Sequence, residues 1–239
     1  LARAAPDMSG YCETLLTQAF GASEVKSIDA SDYEQASIIH DFNTPMRGNE
    51  TYSAVIDLGT LEHVFNVAVA FDNVAQLAAP GAHILHVLPG NNLVGHGFYQ
   101  FSPEFFFQLY APERGYAGTR VFAAPGGQPD VWYEVKAPRD VGARVNITSR
   151  DQLYLLVLTQ KVGDPVPLTE KPIQQSDYMA LWGQEQRSVK AKPRRSPVER
   201  WLRSAFTSLR HRTKVARRDV STARPDLTPV RVRALIGAL

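Results

Sequence analysis

Apolar and polar positions alternate most regularly between Tyr52 and Phe107, which reads as strand, polar loop, helix, Pro-Gly turn, strand, long polar loop, helix. Ala54, Val55 and Ile56 form a short apolar run ending at Asp57, the pattern of a buried parallel strand. Val67, Phe71, Val74 and Ala78 then recur at helical spacing behind Asn66, a cap residue, and Pro80-Gly81 stops that helix. Ile84 to Leu88 is the next buried strand, and Ser102-Pro103-Glu104 opens a further helix with Ser102 as N-cap. Upstream, a helix from Tyr11 to Phe20 is closed by Gly21, and two short strands end at Asp29 and Asp41. Downstream, Thr119–Ala123 and Val131–Val135 flank a Gly/Pro turn, Leu153–Gln160 is a strongly apolar strand, and residues 165–172 read as loop. Strands alternating with helices predict an α/β fold.

The segment YSAVIDLGTLEHVFN, with its spacing to LAAPGAHILHVLP, resembles the middle of a class I S-adenosylmethionine-dependent methyltransferase. Leu61-Glu62-His63-Val64 and Pro80-Gly81 match that family's pattern, while Ser53 replaces its usual Asp and Ala82 its second Gly. The resemblance covers roughly residues 10 to 160 and extends to the loop PGNNLVGHGFYQFSPE. It implies a Rossmann-like, mostly parallel sheet with helices on both faces and a last, antiparallel strand, Leu153–Gln160, inserted near the sheet edge. It also implies S-adenosylmethionine as cofactor, with Asp29 on the ribose hydroxyls, Asp41 on the adenine amino group, and Ala30 and Phe42 flanking the ring. The family's glycine-rich turn has only Gly10 as a weak stand-in, which fits either a first strand preceding Leu1 or a subgroup in which the turn has degenerated.

In an open α/β sheet, ligands bind outside the carboxyl ends of the strands, which places Asp57, Glu62 and His63 with Asn91, Asn92 and His96 around one crevice. Methyl transfer is an in-line displacement, so the protein mainly positions the nucleophile and removes its proton. Imidazole titrates near neutrality, which makes His63 the first candidate base, His96 a loop residue able to meet substrate, and Glu62 an orienting carboxylate. Asp57 is assigned to the cofactor side of the crevice. A metal held by Asp57, His63 and His96 has no supporting spacing, so none is expected, and His83 and His86 point to opposite faces of one strand. The polar loop from Gly90 to Phe101 suggests a small polar acceptor methylated on oxygen or nitrogen.

Charge changes the picture at the carboxyl end. Residues 185–239 hold 15 Lys/Arg against 4 Asp/Glu, so the total of +2 hides a body of net −9 and a tail of net +11. Ser196-Pro197-Val198-Glu199 has the form of a capping box, and Val198, Trp201, Leu202, Ala205, Phe206 and Leu209 follow as one stripe. A basic amphipathic helix of this kind suits an anionic membrane surface, or equally the acidic body of the same chain; no specific nucleic-acid partner is expected. The expected organisation is a methyltransferase-like domain over residues 1–165, a linker over 166–195 and a basic helical tail over 196–239, in a cytoplasmic protein able to sit at the inner membrane face. The single cysteine, Cys12, excludes an internal disulfide. Two other functions fit the pattern: a methyltransferase-like scaffold without catalysis, and a nicotinamide-dependent oxidoreductase whose G-x-G-x-x-G turn lies upstream.

Overall fold

The computed structural model describes residues 12–32, 35–176 and 227–231. Helix α1 (Glu13–Phe20) ends at Gly21 in the left-handed conformation, as expected, and buries no residue. Strands β1 (Ile28–Asp29) and β2 (Ile38–Ile39) pair in parallel as a separate two-stranded sheet. The main sheet is built from β3 (Tyr52–Asp57), β4 (Ala78–Asn91), β5 (Tyr116–Pro125), β6 (Val131–Val135), β7 (Leu153–Lys161) and β8 (Leu227–Arg231). Its order is β3-β4-β7-β5-β6-β8. Helices α2 (Val67–Leu77), α3 (Pro103–Leu109) and α4 (Pro138–Val141) complete the set.

The sheet is mixed, which corrects the expectation of a mostly parallel one. Only β3 and β4 are parallel neighbours; the pairs β4–β7, β7–β5, β5–β6 and β6–β8 are antiparallel. The cause is hairpin connectivity: the turn after Pro125 is too short for a crossover helix, so β6 must return beside β5. Strand β7 is antiparallel to both neighbours, as the resemblance implied, but it lies inside the sheet between β4 and β5, which run the same way, rather than near its edge.

Strand β3 is also not the buried central strand that its apolar run suggested. It forms the edge of the sheet, and Ser53, Ala54 and Ile56 are exposed while Asp57 is buried. The helix break at Pro80-Gly81 falls elsewhere too. Helix α2 ends at Leu77, and both residues lie inside β4, whose Ala78 already pairs with Tyr52. Pro80 is tolerated there because the ladder is irregular between Tyr52 and Ala54, where a missing N–H costs nothing.

Ile84, His86 and Leu88 of β4, Val121 and Ala123 of β5, and Leu155 and Val157 of β7 are buried on one sheet face. Phe71 of α2 and Phe106 of α3 cover that face together, each ring within about 6 Å of His86. These two helices thus share a face rather than dividing between two. Ser102 caps α3 through the Phe105 amide at 3.3 Å, with Pro103 at the first position. Asn66 precedes α2 without capping it; its amide and side chain instead bond Asn43. The chain after β2 is strapped to α2 at Asn73, which accepts from Met46 N–H and donates to the Thr44 carbonyl. Of the expected basic tail, only Leu227–Arg231 is described, and it is a strand, not a helix; the stripe from Val198 to Leu209 lies outside the described residues. No described helix is long and apolar enough to cross a membrane.

Candidate functional site

Strand β3 delivers Asp57 to the start of a tight turn, where its Oδ1 accepts from the Thr60 amide at 3.0 Å. Gly59, at φ +90, lets the chain turn back, and Leu61–His63 forms one turn of 3-10 helix anchored by buried Leu61. The loop leaving β4 closes over this turn from the other side. Its Phe98 and Tyr99 amides both donate to the Glu62 carbonyl, at 2.7 and 3.3 Å. The Tyr99 hydroxyl reaches the Phe65 carbonyl at 2.7 Å. Gly97 makes this clamp possible: it sits at φ +69, and a Cβ there would lie 2.8 Å from both Cγ and the carbonyl oxygen of Glu62.

The clamp brings Glu62, His63 and His96 together. Glu62 is 1% exposed, and its Oε1 lies 3.3 Å from His96 Nε2 and 3.7 Å from His63 Nε2. The two imidazole rings meet edge to face, centroids 5.0 Å apart. Both are about half exposed, so the trio has a buried carboxylate floor and an open imidazole mouth. Glu62 Oε2 is buried with no hydrogen-bond partner among the described residues. Leu58, Phe65, Val94 and Phe98 flank these positions in the chain and are all exposed, with Phe65 and Phe98 in edge contact. The three residues expected to do chemistry are therefore adjacent, and Asp57 is not with them.

Asp57 belongs to a buried network. Its Oδ2 lies 2.7 Å from His86 Nδ1, and His86 Nε2 lies 2.6 Å from the Tyr110 hydroxyl. A carboxylate only accepts, so His86 donates through Nδ1, and the tautomer this assigns accepts from Tyr110 O–H through Nε2. Burial, with neighbouring Tyr116 and Asp57, pushes the Tyr110 phenol well above its ordinary value. Neither His86 nor Tyr110 stood out from the sequence as a partner of Asp57. The available signal was register: Asp57 and His86 pair directly across parallel β3 and β4, so they leave the sheet on the same face.

Of the expected cofactor contacts, Asp29 lies at the end of β1 and Asp41 just beyond the end of its parallel neighbour β2. Asp29 and Asp41 both close turns of their own: Asp29 Oδ1 accepts from Ser31 N–H and O–H, and Asp41 Oδ1 from the Asn43 amide and side chain. The Asn43 bonds, backbone first, hold the Asp41 carboxyl below its ordinary range. Ala30 is exposed, and Phe42 is partly buried against the core with His40 at its edge. Gly10 lies outside the described residues. A cavity of about 350 Å³ opens between β5, β6 and α4, lined by Arg120, Glu134, Lys136 and Arg139 among others. It shares only Tyr110 with the residues above.

Comparisons with protein families and with curated proteins find no match. Among solved structures, the PH0226 protein from Pyrococcus horikoshii OT3 is similar at 12% identity and a TM-score of 0.32, over 62% of this chain and 77% of that one. That likeness is too slight to assign a family.

Proposed function

We propose that the chain is an S-adenosylmethionine-dependent methyltransferase domain whose acceptor site is the Glu62–His63–His96 mouth. The convergence of these three residues beyond the carboxyl ends of β3 and β4 carries the reading, because that is where α/β sheets bind ligands. The reversed strand β7 between co-directional β4 and β5 also fits the resemblance in LEHV and Pro-Gly. In the reaction, an acceptor oxygen or nitrogen attacks the sulfonium methyl in line, the C–S bond breaks, and the thioether leaves with its electron pair. The acceptor's proton passes to the imidazole mouth.

The exposed Leu58, Phe65, Val94 and Phe98 refine the acceptor class. They favour a molecule whose polar reacting group is joined to an apolar body, since apolar side chains at a mouth gain by covering apolar surface. Asp29 supports the cofactor through its carboxylate at the end of β1. Calorimetry with S-adenosylmethionine and its demethylated product tests the reading. Asp29→Ala should weaken binding by about 1.5–3 kcal/mol, the worth of hydrogen bonds to a charged group. His63→Ala should lower turnover about 10²–10⁴-fold with cofactor affinity unchanged. No binding by the parent chain would favour the scaffold alternative, a binding domain without catalysis.

A further inference from the structure

We propose that Glu62, His63 and His96 form a binding site for a divalent first-row transition-metal ion, with two imidazoles and one carboxylate as ligands and coordination positions open to solvent. The ligand atoms of all three residues lie within 4.8 Å of one another. Around a tetrahedral ion with bonds of about 2.0–2.1 Å, neighbouring donor atoms stand roughly 3.3–3.4 Å apart. Of the two Glu62–His separations, 3.3 Å matches that spacing and 3.7 Å is slightly longer.

An ordinary ion pair explains the site less well. Charge-assisted hydrogen bonds draw nitrogen and oxygen to about 2.7–2.9 Å. Here two rings address one carboxylate oxygen at longer range, and the second, Oε2, is buried without a partner among the described residues. A carboxylate withdrawn from water is costly unless a cation compensates it. A metal ion compensates the charge and gives Oε2 a role as a second donor.

The surroundings are built for this. Gly97 allows the His96 loop to approach Glu62 where any larger residue would collide, and a Cβ at Gly59 would stand 3.3 Å from Glu62 Oε1. The Phe98 and Tyr99 amides fix the Glu62 backbone, which pre-organises the carboxylate. Each histidine is about half exposed, which leaves room for water or an acceptor oxygen on the ion. Two imidazoles and a carboxylate suit zinc or ferrous iron better than magnesium or calcium, which prefer all-oxygen sites. Asp57 is excluded as a ligand because His86 and Thr60 occupy both its oxygens. With an ion bound, His63, His96 and Glu62 would hold it as ligands rather than act as bases, and the cation would supply Lewis-acid stabilisation of an acceptor oxygen.

The site shares its residues with the proposed acceptor mouth, but metal binding can be read directly, so its test needs neither cofactor nor acceptor. The untagged full chain, stripped with chelator, is titrated with Zn²⁺ by calorimetry and with Co²⁺ by visible absorption. One equivalent should bind, and Co²⁺ should develop ligand-field bands. His96→Ala, His63→Ala and Glu62→Gln should each lower affinity at least about 100-fold, the upper end of what losing an outer-shell partner costs. His83→Ala, an exposed histidine elsewhere on β4, should leave it unchanged. Both imidazoles are half exposed, so their variants remain folded, which circular dichroism checks. No binding by the parent, or His96→Ala and His63→Ala affinities within about threefold of the parent, overturns the proposal.

Discussion

Replacing Tyr110 by Phe removes one oxygen from the centre of the core and nothing else. The phenol is the donor to His86 Nε2 at 2.6 Å, and neither Nε2 nor its ring reaches water. Phe fills the same volume, so the packing against Phe106 and Tyr116 is retained. The cost is then an unpaired buried acceptor, about 1–3 kcal/mol. Surface substitutions usually stay within about 0.5 kcal/mol, so the effect is measurable by urea unfolding at neutral pH with the m-value as control. A second signature lies in alkali. Burial raises the folded-state pKa of both Tyr110 and Tyr116, so above pH about 10 the unfolded chain loses phenolic protons that the folded chain keeps. Stability is then fully present below pH 10 and falls above it, by up to about 1.4 kcal/mol per pH unit for each phenol. Tyr110→Phe should remove one of those two contributions and flatten the alkaline limb. The Asp57→Ala variant and the double variant complete a cycle, whose coupling energy should be about 0.5–3 kcal/mol because the residues share one network. A Tyr110→Phe protein within 0.5 kcal/mol of the parent, with an unaltered alkaline slope, would refute the assigned proton positions and the isolation of the network.

Two loop glycines make a matched pair. Gly97→Ala places a methyl 2.8 Å from Glu62 and should cost about 1–3 kcal/mol while dispersing the Glu62–His96 arrangement, read by metal affinity. Gly95→Ala, at φ +94 with nothing within 4 Å, should destabilise through the backbone alone and leave metal affinity intact. Ser102→Ala deletes the cap of α3 and should lower stability by about 0.5–2 kcal/mol in the same unfolding assay, without altering metal binding.

Local features were legible in the residues. Gly21 ends α1, Ser102 and Pro103 start α3, and the 121–135 hairpin follows its Gly/Pro turn, because each is decided within a few positions. Pairing is decided across the chain, and there the pattern misled. Ala54, Val55 and Ile56 look buried but lie on an edge, since an apolar run does not reveal which neighbours a strand acquires. Pro80-Gly81 looked like a stop signal, yet an irregular register lets β4 run through it. In the site, Glu62 and His63 were read as adjacent candidates, and His96 joined them through a loop whose route depends on Gly97. Asp57 reads as a crevice residue because α/β sheets bind ligands beyond the carboxyl ends of their strands. Its side chain turns inward, since the parallel register sets it beside His86.

The pairing of β6 with β8 has a kinetic consequence. Val135 meets Leu227 and Val131 meets Arg231, so the ladder closes a loop of roughly ninety residues, at an entropic cost of about 4 kcal/mol before any bond forms. By contrast, β5 and β6 are joined by a short turn and can zip as soon as the turn is made. Strand β8 should therefore be the last to join the sheet and the first to leave it. Its amides should exchange with deuterium through local opening, at a free energy well below that protecting β4 and β7. An exchange profile in which residues 227–231 are as slow as Ile84 and Val157 would mean that the sheet unfolds only as one cooperative unit.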